Sequence, residues 1–471
     1  MSGTETTNSK ISSDLGVQAI DNPRVSRSQP VDPSGRVGHA EDDDIESASS
    51  GAYPEGGFKA WTVVAGSWFG TFASLGILNS IGTFQAYIQE HQLQNYSPGT
   101  VGWVFSLYAF LSFFCGVYFG PIFDKYGPRG LTISGTAMMA GGLLAMSFCT
   151  GNVSLQLLKR LSCLLGVPEL WQFILAFGVA CGFGTSLLFC PSIAAVGHFF
   201  KERRSLATSI SSTAGGLGGV IFPFMLSSLF DSIGYAWATR AVALICLCCG
   251  SIAVFAIESR LAPAKNAKAH PDLRIFRQID FVLITAGIFL FEFSLFIPLG
   301  FISSYALDHG LGLDFSYNLV PILNAASIVG RIVPGYYADL VGPLNMNVFA
   351  VVLSVIACFG VWLPAGHTAA GIVAFAVLFG FATGTLIALA PVCVGQVCET
   401  QDYGRYYATS FSVVSFACLI SIPIGGSIVN ANGGDYTGLI ILTGVIYAAS
   451  GAVLMGAKAY VFGLKNWTAV Y

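Results

Sequence analysis

The stretch FGPIFDKYGPRG, residues 119–130, lies between two long apolar runs, and a close copy, PGYYADLVGPLN, occupies residues 334–345. Both copies place Gly, Asp, Gly and Pro at the same spacing, with an offset of 215 residues. Two helices that meet at a tight turn need Gly and Pro there, and the Asp stands near a helix end. A motif that returns at the same place between apolar runs predicts a chain built from two similar halves.

The chain as a whole is apolar enough to use lipid as its solvent. Hydrophobic residues make up 54% of the 471 and charged residues only 10%, against about 25% charged in soluble domains. A helix of about 20 apolar residues spans a bilayer, whereas a barrel would need ~10-residue alternating segments, which this sequence lacks. We therefore predict an all-α integral membrane protein with twelve transmembrane helices in two six-helix pseudo-repeats. The predicted spans one to twelve are residues 62–88, 101–123, 131–149, 173–197, 206–229, 238–257, 279–305, 317–338, 346–363, 369–393, 407–430 and 437–457.

A second repeated pattern supports the two halves. The dipeptide Val-Gly and the tripeptide Ala-Thr-Ser follow span four, at 196 and 207, and follow span ten, at 394 and 408. The offset here is only 198 to 201, and a longer loop at residues 151–171 accounts for the difference; a short interfacial helix and an error in the gene model both stay open. The predicted organisation is a disordered cytosolic tail, the N-terminal six-helix half, a cytosolic linker, the C-terminal six-helix half and a short cytosolic tail: residues 1–50, 51–257, 258–278, 279–460 and 461–471.

Lys and Arg residues determine the predicted orientation, because inside loops carry an excess of them. If the N-terminus is inside, the outside loops hold only Lys159 and Arg160, while Arg240 and Arg331 fall within spans. The remaining eighteen of the 22 basic residues then lie inside. This asymmetry predicts that both ends of the chain face the cytosol.

The predicted orientation determines on which side of the membrane each of three glycosylation sequons lies. Those at Asn95 and Asn152 lie outside, where they are expected to be modified, and the one at Asn466 lies inside and is expected to stay unmodified. We expect a multi-pass protein of the cell membrane, with the vacuolar membrane as the alternative.

Three motifs resemble a known family. The turn DKYGPR, residues 124–129, resembles the loop that defines the major facilitator superfamily. The stretches PEGGFKAW (54–61) and FFKERRSLA (199–207) resemble signatures of the monocarboxylate porter family, especially of its fungal members. The resemblance covers residues 54 to about 460. It implies a twelve-helix transporter whose halves rock around a central site, with the loop holding the inner face closed until they do.

The resemblance assigns a gating role to Asp124 and Arg129 in the first copy of the turn and to Asp339 in the second. An ordinary charged turn is the alternative at Asp124, and the echo at Asp339 argues against it. No basic residue follows Asp339 closely. We therefore expect the second copy to hold the inner face less strongly than the first.

The resemblance also implies that Arg331, in span eight, binds a substrate carboxylate. Animal members of that family carry an Asp four residues earlier and a Lys in span one, where this sequence has Ser327 and Asn79. The usual proton-relay pair is therefore missing. This absence puts lactate-type proton symport in doubt and leaves room for larger or less charged substrates.

Two charges within the spans stand out without any family. An ionised group near the bilayer centre costs ~3 kcal/mol, so Arg331 and Glu292, halfway along span seven, are expected to face a cavity. There Arg331 would bind the anionic or polar end of the substrate, and Glu292 would carry a proton. The alternatives are an Arg bonded to backbone carbonyls and a Glu that is neutral or paired with Arg331. Asn79 and Asn324 would add neutral hydrogen bonds, and Arg240 can snorkel to the outer surface.

Other classes of protein find little support. The net charge of −3 gives no reason to expect nucleic-acid binding. Cys246, Cys248 and Cys249 lack a nearby His and the spacing of a zinc site. The glycines at 215–219 precede no Lys-Ser or Lys-Thr pair, so close helix packing is favoured over a phosphate loop. The six His residues are scattered and no hydrolase or metalloprotease motif occurs, so we predict no enzyme, metal or cofactor, and only proton coupling stays open.

The predicted function is secondary active or facilitative transport of a small organic solute by alternating access. An organic acid or a secondary metabolite is the expected substrate, with efflux favoured over uptake. Proton-coupled uptake of a monocarboxylate is the alternative in the same class, and a transport-inactive membrane sensor is the alternative of another class. The predicted partners are the small-molecule substrate and the lipid bilayer, with no nucleic acid and no obligate protein partner.

Overall fold

The computed structural model describes residues 54–149, 170–260, 271 and 273–462, and nearly all of them are helical. The helices that form the predicted spans are long and apolar. Their bounds in chain order are Gly57–Leu78, Ile81–His91, Pro98–Phe114, Gly116–Tyr126, Arg129–Ser147, Leu170–Phe199, Arg204–Ala256, Ile279–Asp308, Leu313–Val341, Pro343–Ala365, Ala369–Gly395, Tyr403–Ala431 and Thr437–Phe462.

The described residues contain eleven helices that are long and apolar enough to cross a membrane, and one of them supplies two crossings. Arg204–Ala256 has 53 residues, which would extend for about 80 Å as one helix, far more than the ~30 Å hydrocarbon core. Its backbone breaks at Gly234, whose φ of 76° and ψ of 166° are not helical. Spans five and six therefore lie on either side of Gly234, and the predicted all-helical fold with two six-helix sets is confirmed.

The predicted span bounds need two corrections. Residues 62–88 were expected to form one helix, but span one consists of Gly57–Leu78 and Ile81–His91, separated by a turn at Asn79 and Ser80. The predicted loop between spans five and six shrinks to the break at Gly234, since glycine adopts a positive φ without steric cost.

Several predictions fall on residues outside the described ones. They concern the tail 1–50, residues 151–169 of the candidate interfacial helix with the sequon at Asn152, residues 261–270 and 272 of the linker, and residues 463–471 of the second tail, whose first two residues end the last helix.

Small residues let the spans approach closely. Gly218 in span five packs against the backbone of Gly76 in span one, and a Cβ atom on Gly215 would lie 2.9 Å from the Cβ of Leu75. Real Cβ atoms essentially never come within 3.0 Å of such a neighbour, so a larger residue would push the helices apart. The predicted packing role of the glycine cluster is confirmed.

Candidate functional site

A polar cavity lies between the two halves at the middle of the bundle. Its volume is about 60 Å³, room for a few water molecules and well below the ~300–1,000 Å³ of typical ligand sites. All four predicted substrate-binding side chains line it, namely Asn79, Glu292, Asn324 and Arg331. Aromatic and aliphatic side chains from spans one, two, four, seven, eight, ten and eleven form most of the remaining wall. The cavity is therefore nearly closed, and any organic substrate requires it to expand.

Span five supplies carbonyl groups to the polar side chains around this cavity. The Asn79 amide donates a hydrogen bond to the Gly215 carbonyl at 2.9 Å, and the Asn324 amide donates one to the Gly219 carbonyl at 3.3 Å. The guanidinium of Arg331 donates to the carbonyl of Ser212. Acceptors at 212, 215 and 219 are three and four residues apart and so share one face of the helix.

The glycines of span five make these contacts possible. A Cβ atom on Gly219 would lie only 2.8 Å from the Asn324 amide nitrogen and 2.8 Å from the Asn79 Cβ. At Gly215 it would lie 3.4 Å from a guanidinium nitrogen of Arg331. The glycine cluster thus serves the polar site as well as helix packing, which the sequence analysis did not anticipate.

The two charged groups of the cavity are both buried, with Arg331 2% exposed and Glu292 6% exposed. The Nε of Arg331 also donates to the hydroxyl of Ser327 at 3.3 Å. Among the described residues, the ion pairs do not include Arg331 with Glu292. The cation is thus held by neutral acceptors, and its charge faces a cavity that also contains a carboxyl group.

Asp124 joins the two halves at the end of the bundle that is predicted to face the cytosol. Its carboxylate accepts the backbone N–H of Gly404 at 3.1 Å and of Arg405 at 2.8 Å, in the first turn of span eleven. A helix N-terminus offers unpaired N–H groups and a partial positive charge, so it is a favourable partner for a carboxylate. We call this contact the Asp124 gate.

Asp339 makes the corresponding contact, with the carboxylate in the C-terminal half and the helix N-terminus in the N-terminal half. Its carboxylate accepts the backbone N–H of Ser205 at 2.8 Å and of Leu206 at 3.0 Å, in the first turn of span five. We call this contact the Asp339 gate. Both gates tie a helix of one half to a helix N-terminus of the other, so the inner end of the molecule is closed. The two carboxylates accept equal numbers of backbone N–H groups, and the expected weakness of the second copy stays a prediction.

Arg129 lies apart from both gates. Its guanidinium is 3.6 Å from Glu258, which Lys59 approaches to 2.9 Å. Lys59 and Arg129 belong to the N-terminal half, Glu258 is the first residue of the predicted linker, and all three side chains lie at the surface. The hydrogen bond from Lys59 lowers the pKa of the Glu258 carboxyl below its ordinary value. Within the described ranges, the ion pairs of Arg129 do not include Asp124, and its predicted gating role stays a prediction that involves Glu258.

Two residues of the inner end were not predicted as site residues, although both lie in the quoted motifs. The Glu55 carboxylate accepts the backbone N–H of Lys201 at 2.7 Å, of Glu202 at 2.9 Å and of Arg203 at 3.3 Å, just before span five. Arg204 crosses to the other half. The motifs PEGGFKAW and FFKERRSLA could have signalled these residues. The first contains Glu55, and the second contains Arg204 together with the turn that Glu55 binds.

Arg204 reaches two helices of the C-terminal half. Its guanidinium carbon lies 3.9 Å from the ring centroid of Tyr403, and its Nη1 donates to the carbonyl of Gly395 at 3.3 Å. Gly395 ends span ten, where the helix dipole is negative and favours a cation. Arg204 thus closes the inner end alongside the two carboxylate gates.

Asn95 lies in the short connection before span two, at the end of the bundle opposite the gates, and its side chain is exposed. This position is compatible with the predicted glycosylation, which stays a prediction.

Membrane-crossing helices in two halves, a nearly closed polar cavity between them and gates at one end together define a transporter of the alternating-access type. The family model described as Major Facilitator Superfamily matches residues 67–371. The chain therefore belongs to the Major Facilitator Superfamily. It is a multi-pass membrane transporter of a small organic solute, and not an enzyme.

Relatives among characterised proteins are fungal transporters. The chain is 36% identical to the MFS-type transporter 1 of Ophiocordyceps sp. over an alignment of 403 residues. This alignment covers 85% of each chain. It is 32% identical over 449 residues to the riboflavin transporter MCH5 of Saccharomyces cerevisiae, covering 90% of this chain and 82% of that one. It is 32% identical over 434 residues to the fujikurins efflux protein of Gibberella fujikuroi, covering 92% and 89%.

Solved structures show the same fold. A proton:xylose symporter matches with a TM-score of 0.64 at 11% identity, covering 86% of this chain and 95% of that one. A human organic anion transporter matches with a TM-score of 0.62 at 14% identity, covering 84% and 98%. At such low identity these matches support the architecture alone.

Proposed function

We propose that this protein exports an organic acid or an acidic secondary metabolite across the cell membrane, as a fungal-type member of the monocarboxylate porter family. The efflux protein among its relatives favours this direction. The absence of a Lys at Asn79 and of an Asp at Ser327 favours a substrate other than lactate. The vacuolar membrane is the alternative location, and modification of Asn95 and Asn152 belongs to the same proposal.

The buried positive charge of Arg331 is the main observation that supports the proposal. This side chain is 2% exposed, lines the central cavity and is hydrogen-bonded to a carbonyl and a hydroxyl group rather than to a carboxylate. A buried cation without a paired anion is costly, so an anionic substrate would be stabilised there. A planar guanidinium can bind a carboxylate through two parallel hydrogen bonds, which Lys cannot reproduce.

The rest of the cavity wall suggests the size and polarity of the substrate. Phe113, Phe189 and Phe411 line one side of the cavity, and Asn79 and Asn324 line another. A molecule with an acidic group and an aromatic or extended apolar body fits such a wall better than a two- or three-carbon acid does.

The test is counterflow in proteoliposomes with labelled benzoate, lactate and riboflavin as probes. We expect faster exchange of benzoate than of lactate, and a loss of at least about tenfold in benzoate exchange for Arg331→Lys. Arg277→Lys, at an exposed cytosolic position, is the matched control and should match the wild type. Normal benzoate exchange by Arg331→Lys would show that the Arg is structural. Comparison of metabolites in cells and medium of a deletion strain tests the direction, since export predicts accumulation inside.

Proton-coupled uptake is the second candidate, and one observation favours it. Glu292 lines the same cavity as Arg331 and is 6% exposed, so a proton on this carboxyl could be exchanged in step with the substrate. Glu292→Gln should then keep counterflow but lose accumulation driven by a pH gradient. If Glu292→Gln retains the pH profile of the wild type, the proton-carrier role is wrong while the transport role stands.

A further inference from the structure

A second cavity lies on the membrane-facing side of spans three and four, away from the central site. Its volume is about 420 Å³, and its wall includes Met138, Gly141, Ala145, Phe148 and Leu175. Span three runs from Arg129, at the inner end of the bundle, to Ser147 at the opposite end. The groove therefore lies in the leaflet away from the gates and extends for about 16 Å along the helix, from Met138 to Cys149.

The groove is open because of the residues at its floor. A Cβ atom on Gly141 would meet no atom within 4 Å, whereas one on the adjacent Gly142 would lie 2.6 Å from the sulfur of Cys181. The facing wall belongs to the π-helical segment Ile174–Cys181, where the backbone is wider than an α-helix. Gly142 thus holds spans three and four together, while Gly141 leaves a space on the lipid side.

The positively charged side chain of Arg240 lies at the outer end of this groove. The guanidinium of Arg240 lies 4.7 Å from the ring centroid of Phe148, which lines the groove, and 4.8 Å from that of Trp237. Its Nε donates to the hydroxyl of Ser147 at 3.2 Å. Within the described ranges, none of the ion pairs includes Arg240. Two aromatic rings and a hydroxyl therefore orient this charge, and its ordered contacts in the described part of the chain are with neutral groups.

The neighbouring aromatic residues place this cation at the membrane surface. Trp171 lines the groove and Trp237 is 61% exposed, and both lie near the outer ends of their spans. Trp is enriched at the level of the lipid headgroups. An apolar channel that ends in an oriented guanidinium at headgroup depth matches the two parts of a phospholipid, its acyl chain and its phosphate.

We propose that this groove binds one membrane phospholipid, with an acyl chain beside Gly141 and the phosphate against Arg240. The inference is independent of the transported substrate, because the groove shares no lining residue with the central cavity. It extends the role of Arg240 from reaching the membrane surface to holding a ligand there. The charge complementarity between guanidinium and phosphate distinguishes this occupant from a sterol or a detergent.

The experiment is native mass spectrometry of the full-length protein during stepwise delipidation, with a mixture of phosphatidylcholine and phosphatidylethanolamine as the probe. We expect the wild type to keep one phospholipid after the others are removed. Gly141→Phe should lower that occupancy at least about tenfold by filling the groove, and Arg240→Gln should weaken it about tenfold. Gly130→Phe is the matched control, since Gly130 lies on the same helix and a Cβ there also meets no atom within 4 Å.

Three results would overturn the proposal. The first is a wild type that retains no phospholipid, as expected if detergent fills the groove. The second is equal retention by Gly141→Phe and the wild type. The third is retention of ergosterol in place of phospholipid when both are supplied. Melting temperatures of the variants show whether each is folded, and Gly130→Phe controls for the added ring.

Discussion

The two gates at the inner end use the same chemistry in unequal surroundings. Asp124 and Asp339 each accept two backbone N–H groups from the first turn of a helix in the opposite half. Asp124 is only 7% exposed, whereas Asp339 is half-buried. Donors left without a partner in a buried site cost more free energy than donors that water can reach. Equal numbers of backbone donors therefore do not imply equal strength, and burial favours the Asp124 gate.

The helix N-termini that the gates hold also differ. The turn before span five is already held by Glu55 from its own half, through three backbone N–H groups. The first turn of span eleven contains Arg405, which pairs with Asp402 at 3.5 Å. Arg204 and Arg405 occupy equivalent positions in the repeat, but Arg204 contacts the other half whereas the ion pair of Arg405 stays within its own. The four predictions below test this asymmetry.

The largest expected effect is the loss of the Asp124 gate. Asp124→Ala should shift the equilibrium toward the inward-open state by about 2 kcal/mol, roughly thirtyfold, because two buried donors lose their carboxyl acceptor. Asp339→Ala should shift it by about 1 kcal/mol, since water can replace part of that contact. Distances between spin labels at the inner ends measure both shifts. Asp231→Ala, at an exposed outer position, is the control, and a larger shift for Asp339→Ala would reverse the ranking.

Glu55 should affect stability more than gating. Its three hydrogen bonds lie within one half and persist in either state, so Glu55→Ala should lower the free energy of unfolding by about 1.5 kcal/mol, as for a lost helix cap. The inward-to-outward ratio should change less than twofold. Thermal denaturation in detergent and the same spin-label distances separate the two effects. A strong shift in the ratio without destabilisation would make Glu55 part of the gate itself.

The repeat-related arginines should behave differently from each other. Arg204→Lys should favour the inward-open state by about 1 kcal/mol, because an ammonium group does not stack on Tyr403 as a planar guanidinium does. Arg405→Lys keeps its backbone N–H for Asp124 and should shift the ratio far less. Inner-end cysteine accessibility compares the two variants. Equal shifts would mean that the cross-half contact of Arg204 contributes nothing particular.

The smallest effect is expected at the surface cluster of Arg129, Glu258 and Lys59. Arg129→Ala should change gating by at most about 0.5 kcal/mol, the usual range for an exposed ion pair. The lowered pKa of Glu258 means that its contribution is present at neutral pH and is lost as the pH falls through that pKa. The melting temperatures of the wild type and Glu258→Gln should therefore converge on acidification. A slow-transport phenotype for Arg129→Ala at neutral pH would restore its predicted gating role.

Much of this arrangement could be predicted from the sequence. The turn at 119–130 and its copy at 334–345 are local patterns, and so are the apolar runs that form the twelve spans. Arg331 and Glu292 could be placed in one cavity because an ionised group in a membrane has few other favourable positions. These predictions required only that polarity and spacing be read over short distances.

The partners of the gates could not be predicted in the same way. The donors of Asp124 lie 280 and 281 residues away, and a backbone N–H has no sequence signature. The resemblance assigned Arg129 to the gate; its ion pair in the structure is with Glu258, and its gating role stays a prediction. The break at Asn79 and Ser80 was missed because the apolar run continues through it and contains no Pro there.

The use of backbone donors has a consequence for how such a gate can diverge. Every residue type except Pro carries an N–H group, so substitutions at 205, 206 and 405 leave the donors in place. Position 404 is different, because a Cβ atom on Gly404 would overlap an oxygen of the Asp124 carboxylate. The Asp339 gate therefore requires one acidic position and the absence of Pro at two others, whereas the Asp124 gate also requires Gly at 404. The start of span five can drift more widely during evolution than the start of span eleven while the inner face still closes.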